Sequence, residues 1–449
     1  MMKNLLRVIA GAVAMATLMR AQAPTAAPAR QQTPPRLAVP IEPIAAIVEA
    51  FRSHAIVALG NEEFRGNEQC HAFRLSLIRD PRFTGAVNDI VVEFGNARYQ
   101  DLMDRFVEGE EVPYESLRQV WLNTTQPVQE WAFPIYEEFF RAVRLVNVSL
   151  PREHRLRVLL GDPPIDWDSV HSREDIHKWL GDRDAHAVRV IRREVLEKGR
   201  RALVIYGEEH LIRKNTVIGA ADEWARGLVA QLERSAITNV FTINPETRRD
   251  LKTVQADVAL WPKPSLAMLR GTALGAAIFA PGPQRRPVRM EEQFDAILYL
   301  GPPSAMTMAQ LSPALCSGLP SSSLAPTAPA ARLKEYCATL GGNTEIPDRE
   351  PAITYLIREM IRDAAQGKVD PARIAPESRE RLIPFLQDIG PRFLGPAGAL
   401  ESLTLLVDTH EGGKHVRRYR AVFANGPKII WTVGLSSAGS IVSLDPRPE

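Results

Sequence analysis

Ala202-Leu203-Val204-Ile205-Tyr206-Gly207, followed at once by Glu208-Glu209-His210, is the stretch on which the fold turns. An unbroken apolar run asks for burial on both faces, which is the demand of a parallel sheet rather than of a half-solvated hairpin. Gly207 lets the chain turn sharply. The acids and the histidine then arrive beyond the carboxyl end of the strand, where open parallel sheets bind ligands.

Working outward, the same pattern recurs. Ile56-Val57-Ala58-Leu59-Gly60, Ile90-Val91-Val92-Glu93-Phe94-Gly95 and Leu156-Arg157-Val158-Leu159-Leu160-Gly161 read as further strands, with weaker ones at Asn239–Ile243 and Ala296–Leu300. The segments between them are long enough for crossover helices, of which Ile191–Lys198 is a clear case. The expected class is therefore α/β, a mostly parallel sheet flanked by helices. Tyr99–Asn147 exceeds one crossover and carries Phe106, Tyr114, Trp121, Trp131, Phe133, Tyr136, Phe139 and Phe140. It reads as a helical insertion, either a lid over the sheet or ordinary aromatic packing.

Near Glu345 the character changes. Ala352–Gln366 has a helical apolar stripe. After it Leu403, Leu405 and Val407 alternate, Gly412-Gly413 marks a turn, Val416–Phe423 runs back, Asn425-Gly426 turns again and Ile429–Leu435 follows. These predict a small C-terminal antiparallel α+β domain over 345–449, without a concentration of catalytic residue types. The α/β domain is expected over 45–310 and a linker over 311–344. Across that linker Cys316 and Cys337 are placed to form a disulfide in an oxidising compartment, leaving Cys70 as a small buried residue.

At the N-terminus Lys3 and Arg7 precede a short apolar run, Val8–Met19, and Ala21-Gln22-Ala23 offers a cleavage site. This predicts a secretory signal over 1–23, too short for a stable membrane span, then a Pro/Ala-rich tether over 24–44, and a periplasmic or secreted protein. With 55 basic and 53 acidic residues and no basic block, nucleic acid is not an expected partner; a small-molecule or peptide substrate is.

The residues just beyond each strand supply the candidate site. The first strand delivers Asn61, Glu62, Glu63, Glu68 and His71; the second Glu93 and Asn96; the third Asp162-Pro163-Pro164-Ile165-Asp166-Trp167; the fourth Glu208, Glu209 and His210. Glu93 comes after Val91-Val92 in a run built for burial, so its carboxylate needs a partner. It reads as a general base or metal ligand, or as an acid capping a neighbouring loop's amides. Glu68 and His71 share one helical face, a spacing used for metal ligation and for surface ion pairs alike. Asn61, Asn96, Asp162, Asp166 and Trp167 are candidates for substrate binding, the Pro-Pro loop holding its two aspartates in set directions or making a stiff turn. His171, His177 and His186 lie in a charged helical stretch and are expected to be solvated. The Asn123-Thr124-Thr125 sequon has no evident role. Neither a G-x-S-x-G elbow, a phosphate-binding loop, H-E-x-x-H, paired C-x-x-C nor a dinucleotide fingerprint occurs.

Ile56–Phe73, Glu93-Phe94-Gly95-Asn96 and Gly207-Glu208-Glu209-His210-Leu211 resemble the erythromycin esterase-like, ChaN-like and Tiki/TraB group over roughly residues 45–310. The resemblance implies an α/β fold with a Glu/His site, in proteins that include macrolide esterases, metal-dependent proteases and haem-binding lipoproteins. The group's first motif is G-E-x-x-H; here Gly60 is followed by Asn61 in the Glu position, and Phe64 stands where the His belongs. Glu93 matches the later Glu and His210 the late His. Three readings stay open. One is a hydrolase, metal-assisted through Glu68, His71 or His210, with Glu93, His210, Glu62 and Glu63 as catalytic groups. Another is a non-catalytic haem or metal binder with His71 or His210 as axial ligand. In the last, the strand-end acids are structural and the C-terminal domain mediates contacts between proteins.

Overall fold

The strand-end glycines and apolar runs do build one sheet. A computed structural model describes residues 35–61, 66–279, 285–309, 337, 344–411, 414–425 and 428–448. The sheet strands are β1 (Ile56–Asn61), β2 (Asp89–Asn96), β3 (Arg157–Asp162), β4 (Ala202–Gly207), β5 (Val240–Pro245), β6 (Ser265–Met268) and β9 (Ala296–Tyr299), while β7 (Ile278–Phe279) and β8 (Val288–Arg289) form a separate ribbon. Across the seven-stranded sheet the order is β3-β2-β4-β1-β5-β9-β6. All sheet neighbours are parallel except β6, which runs antiparallel to β9 at the edge.

Burial on both faces explains the unbroken apolar runs. Val57, Leu59, Ile90, Val92, Leu203 and Ile205 enter one core, and Ile56, Ala58, Val91, Ala202, Val204 and Tyr206 enter the other. The aromatic insertion belongs to the first. Trp121, Trp131, Tyr136, Phe139 and Phe140 are all buried, and the last four surround Phe94 at ring-centroid distances of 4.9–5.9 Å. Of the two alternatives for this stretch, packing is the one observed. Aromatics at helical spacing carry too much apolar area to leave in water.

The tether expected over 24–44 ends earlier than its composition suggests. The Ala38 backbone exchanges two hydrogen bonds of 2.8 Å with the Gln255 side chain, and Ile41 pairs with Leu266 beside β6. A covered edge is what an otherwise open sheet requires.

The C-terminal part has its own core and a four-stranded antiparallel sheet, β10 (Leu400–Glu411), β11 (Lys414–Phe423), β12 (Ile429–Leu435) and β13 (Ile441–Pro448). The helices Pro351–Ala365 and Arg379–Ile389 cover one face of it. It meets the α/β part through charged groups. Arg392 pairs with Glu209 and approaches Glu208 at 3.8 Å, Arg285 pairs with Asp388, and Phe393 lies 5.2 Å from the Arg248 guanidinium. Cys337 is disulfide-bonded, while Cys316 lies outside the described residues. No helix among the described residues is long and apolar enough to cross a membrane.

Candidate active site

Glu93 leaves the ladder before its strand ends. The β2–β3 register jumps from Val92↔Leu160 to Asn96↔Asp162, and pairing with β4 stops at Val92↔Ile205. Two extra β2 residues are thus accommodated at Glu93-Phe94-Gly95, a bulge of the kind that re-aims a side chain. The carboxylate turns towards β4, where Oε2 accepts from the Gly207 backbone N–H at 2.7 Å. Oε1 accepts from Arg183 Nη2 at 2.7 Å and lies 3.4 Å from His210 Nε2. The buried acid of the sequence is therefore fully partnered, as its desolvation demands.

His210 rides on the single turn Glu208–Leu211 that begins directly after β4. Its Nδ1 lies 2.6 Å from Asp184 Oδ1. Burial works against the charged imidazole, but the Glu93 carboxylate and the Asp184 hydrogen bond outweigh it and raise its pKa from 6.5 to about 9. At neutral pH His210 is an imidazolium between two carboxylates.

Arg183 and Asp184 open the helix Arg183–Val190. Besides Glu93, Arg183 reaches Asp162 Oδ1 at 3.6 Å. The Gln126 amide is oriented with its oxygen towards Arg183, accepting from Nη1 and Nη2 at 2.6 Å each. Asp162 accepts from the Thr125 backbone N–H at 2.7 Å and from its hydroxyl at 2.5 Å. Burial pushes Asp162 up to about 7, against the pull of Arg183 and Thr125. Tyr206 closes the floor. Its ring stands edge-on to His210, and its buried hydroxyl has no hydrogen-bond partner among the described residues. Burial, reinforced by Glu93 and Asp162, holds that phenol well above its usual range. The rim is wetter than the floor: the His210, Arg183 and Asp184 side chains keep 14%, 15% and 23% exposure, against 1% for Glu93.

The structure thus brings together Glu93, His210 and Asp162 from the expected set. The others stand elsewhere. Asn96 caps the turn after β2, accepting from Arg98 N and donating to the carbonyls of Asn123 and Ile165. Trp167 Nε1 donates to the same Asn123 carbonyl at 2.9 Å, and Asp166 pairs with Arg98 at 3.1 Å. These three brace loops rather than line the site, because their hydrogen bonds and ion pair go to backbone groups and to Arg98. The sequon acquires a structural role, since Asn123 and Thr125 supply the loop that meets Asp162 and Asn96. Asn61 closes β1 opposite Gly207, while Glu62, Glu63 and Phe64 lie outside the described residues.

The metal set Glu68, His71 and His210 is not assembled. His71 Nε2 lies 2.9 Å from Glu138, Glu68 accepts from the Thr307 hydroxyl, and His210 sits with Asp184 and Glu93. A cation at Glu93 would have to displace Arg183, so the donors here do not fit a metal ion. Nor do they fit haem, since both His210 nitrogens face carboxylates. His186 also departs from expectation: burial lowers its pKa to about 4, whereas His171 and His177 are exposed. Glu208, beside the site, is held by Arg248 through two contacts of 2.7 and 2.8 Å, and burial pushes its pKa up to about 7.

No family model matches the chain, and no curated protein matches it significantly. Among solved structures it is similar to a Bacillus cereus protein at 11% identity and TM-score 0.41, covering 62% of this chain and 97% of that one. An erythromycin esterase in its open conformation gives 12% and 0.41, over 60% of this chain and 94% of the other. ChaN of Campylobacter jejuni, with cofacially bound haem, gives 8% and 0.28, over 45% and 85%. These distant matches include both kinds of protein, erythromycin esterase and ChaN, named by the sequence resemblance.

Proposed function

We propose that the chain is an exported hydrolase in which His210 is the acid–base group, Asp184 its orienting partner and Arg183 the cation that meets developing negative charge. The observation that carries this reading is the pair of contacts on one imidazole, Asp184 at Nδ1 (2.6 Å) and Glu93 at Nε2 (3.4 Å). An imidazole with one nitrogen fixed by a carboxylate has a set tautomer and direction. The longer contact at Nε2 leaves that proton the one to be transferred. In ester, lactone or amide hydrolysis, water oxygen adds to the acyl carbon and the bond to the leaving group breaks. His210 gives its Nε2 proton to the leaving atom and recovers one from the attacking water, so the enzyme ends unchanged. Glu93 raises the proton affinity of the imidazole, and Arg183 lies beside it as a fixed positive charge. Export is supported by the signal-like N-terminus and by disulfide-bonded Cys337, because disulfides persist in oxidising compartments.

The test is turnover of a panel of esters, lactones and peptides by the whole chain, with and without His210→Asn. Removing the acid–base group should lower kcat by roughly 10²–10⁴-fold. Equal rates for both proteins would overturn the assignment. A second reading, a binding protein without turnover, is favoured by Asn61 and Phe64 at the two altered motif positions. It predicts saturable binding of a polar ligand by a protein inactive on every substrate.

A further inference from the structure

Composition alone leads one to expect no concentration of reactive residue types in the C-terminal domain, but its first hairpin carries one. Asp408 and His410 share one face of β10, and His415 sits directly opposite His410 on β11. One ligand atom from each of these side chains lies within 4.8 Å of the others. The two imidazoles are stacked, with centroids 4.1 Å apart and planes 12° from parallel. His415 Nε2 contacts Asp408 at 2.6 Å and lies 3.7 Å from Glu350 Oε2. Glu350 immediately precedes the helix Pro351–Ala365.

We propose that Asp408, His410 and His415 form a site for a divalent transition-metal ion of the zinc type, with Glu350 as the fourth ligand. The donor set is chemically apt: two imidazoles and two carboxylates suit a borderline metal such as Zn(II), and not the all-oxygen preference of Mg(II) or Ca(II). The packing behind it is apt as well. Arg417 is fully buried, hydrogen-bonds Asp348 and the Glu350 carbonyl, and lies 3.4 Å from the second Asp408 oxygen. It thereby fixes both carboxylate-bearing segments from behind, the outer support that metal-binding carboxylates use. Tetrahedral coordination at roughly 2.0–2.2 Å needs ligand atoms about 3.4 Å apart. Three of the ligand atoms lie within 4.8 Å of one another, and the exposed His410 side chain is not held by the core against a turn towards the others. A bound ion would tie the β10–β11 hairpin to the start of the helix, and the inference does not depend on the hydrolase reading.

The experiment is equilibrium dialysis of the full chain against Zn(II), read by elemental analysis, together with Co(II) titration read by its visible d–d bands. Wild type and the His210→Asn variant should each bind one equivalent. His410→Ala, at an exposed position, should weaken binding by more than the roughly tenfold to hundredfold that loss of an outer-shell partner costs and abolish the Co(II) bands. His415→Gln serves as a second variant and should do the same. Absence of binding by the wild type, or unchanged affinity in His410→Ala, would overturn the site. So would a metal lost in His210→Asn but kept in His410→Ala, since that places it at the strand ends.

Discussion

Asp184 Oδ1 and His210 Nδ1 stand 2.6 Å apart although they belong to different elements, the first turn of the helix Arg183–Val190 and the turn after β4. Of the two groups holding the imidazole proton, Asp184 is the one at the rim, and substitution there disturbs the buried network least. In Asp184→Asn the hydrogen bond survives without its charge. The His210 pKa should fall from about 9 towards 6.5, as read by NMR titration of the ring protons. The same change should lower kcat more than it raises KM, a split that a purely structural role does not produce. An unmoved titration would show that Asp184 does not tune the imidazole.

Glu93 on the buried floor of the site is ion-paired at 2.7 Å with Arg183, whose side chain keeps 15% exposure. Glu93→Gln presents an amide N–H₂ to donors on both sides, the Gly207 N–H or Arg183, and leaves the guanidinium without its nearest carboxylate. Removing one partner of a buried pair costs about 3–5 kcal/mol. Urea unfolding of the variant should show a loss of that order, and a change below about 1 kcal/mol would mean the pair is solvated. Arg183→Met should cost more than Glu93→Gln, because it leaves two buried carboxylates, Glu93 and Asp162, without the cation they share.

Gly161 and Tyr206 are locked together by size. A Cβ at position 161 would lie 2.0 Å from the Tyr206 hydroxyl, so only glycine lets that hydroxyl reach across β2 to β3. Gly161→Ala should cost about 1–3 kcal/mol through overpacking. Tyr206→Phe, by contrast, deletes a buried hydroxyl that lacks a partner among the described residues. It should hold stability constant or raise it by about 1 kcal/mol. Thermal unfolding of both variants decides the matter, and a destabilised Tyr206→Phe would reveal a partner for the hydroxyl.

The sheet was legible because β1 to β4 are buried on both faces and so carry unbroken apolar runs. β6 was not, being a four-residue edge strand, and β13 was not because Pro446 and Pro448 argue against a strand everywhere except an edge, where it lies. Glu93 and His210 stood out as polar residues against apolar strands. Arg183 and Asp184 did not, since Asp182, Arg189, Arg192 and Arg193 surround them with surface-like charge. Crossover geometry held the missing signal. A helix that leads into a parallel strand begins at the carboxyl edge of the sheet, so its first turn, not its middle, faces the site. His186, one turn further on, shows how position in that helix decides burial.

The perturbed groups at the site have a consequence for stability against pH. His210 has its folded pKa raised to about 9 from 6.5. A base raised on folding stabilises fully below the unfolded value, and this contribution is lost as pH climbs through the folded one. Asp162 and Glu208, raised to about 7 by burial, lose their contributions earlier, between about pH 4 and 7. Above about pH 8 His210 is therefore the member of this trio still titrating. The unfolding free energy should fall by roughly 1.4 kcal/mol between about pH 8 and 10, since the folded value lies about one unit above pH 8 and each tenfold difference in proton affinity between folded and unfolded chain is worth about 1.36 kcal/mol. Urea denaturation across that range gives the slope. In His210→Asn the slope should largely vanish while the fold persists, because the amide carries no proton to lose. A slope as steep in the variant as in the wild type would assign the dependence to another group and remove the imidazolium from its place between Asp184 and Glu93.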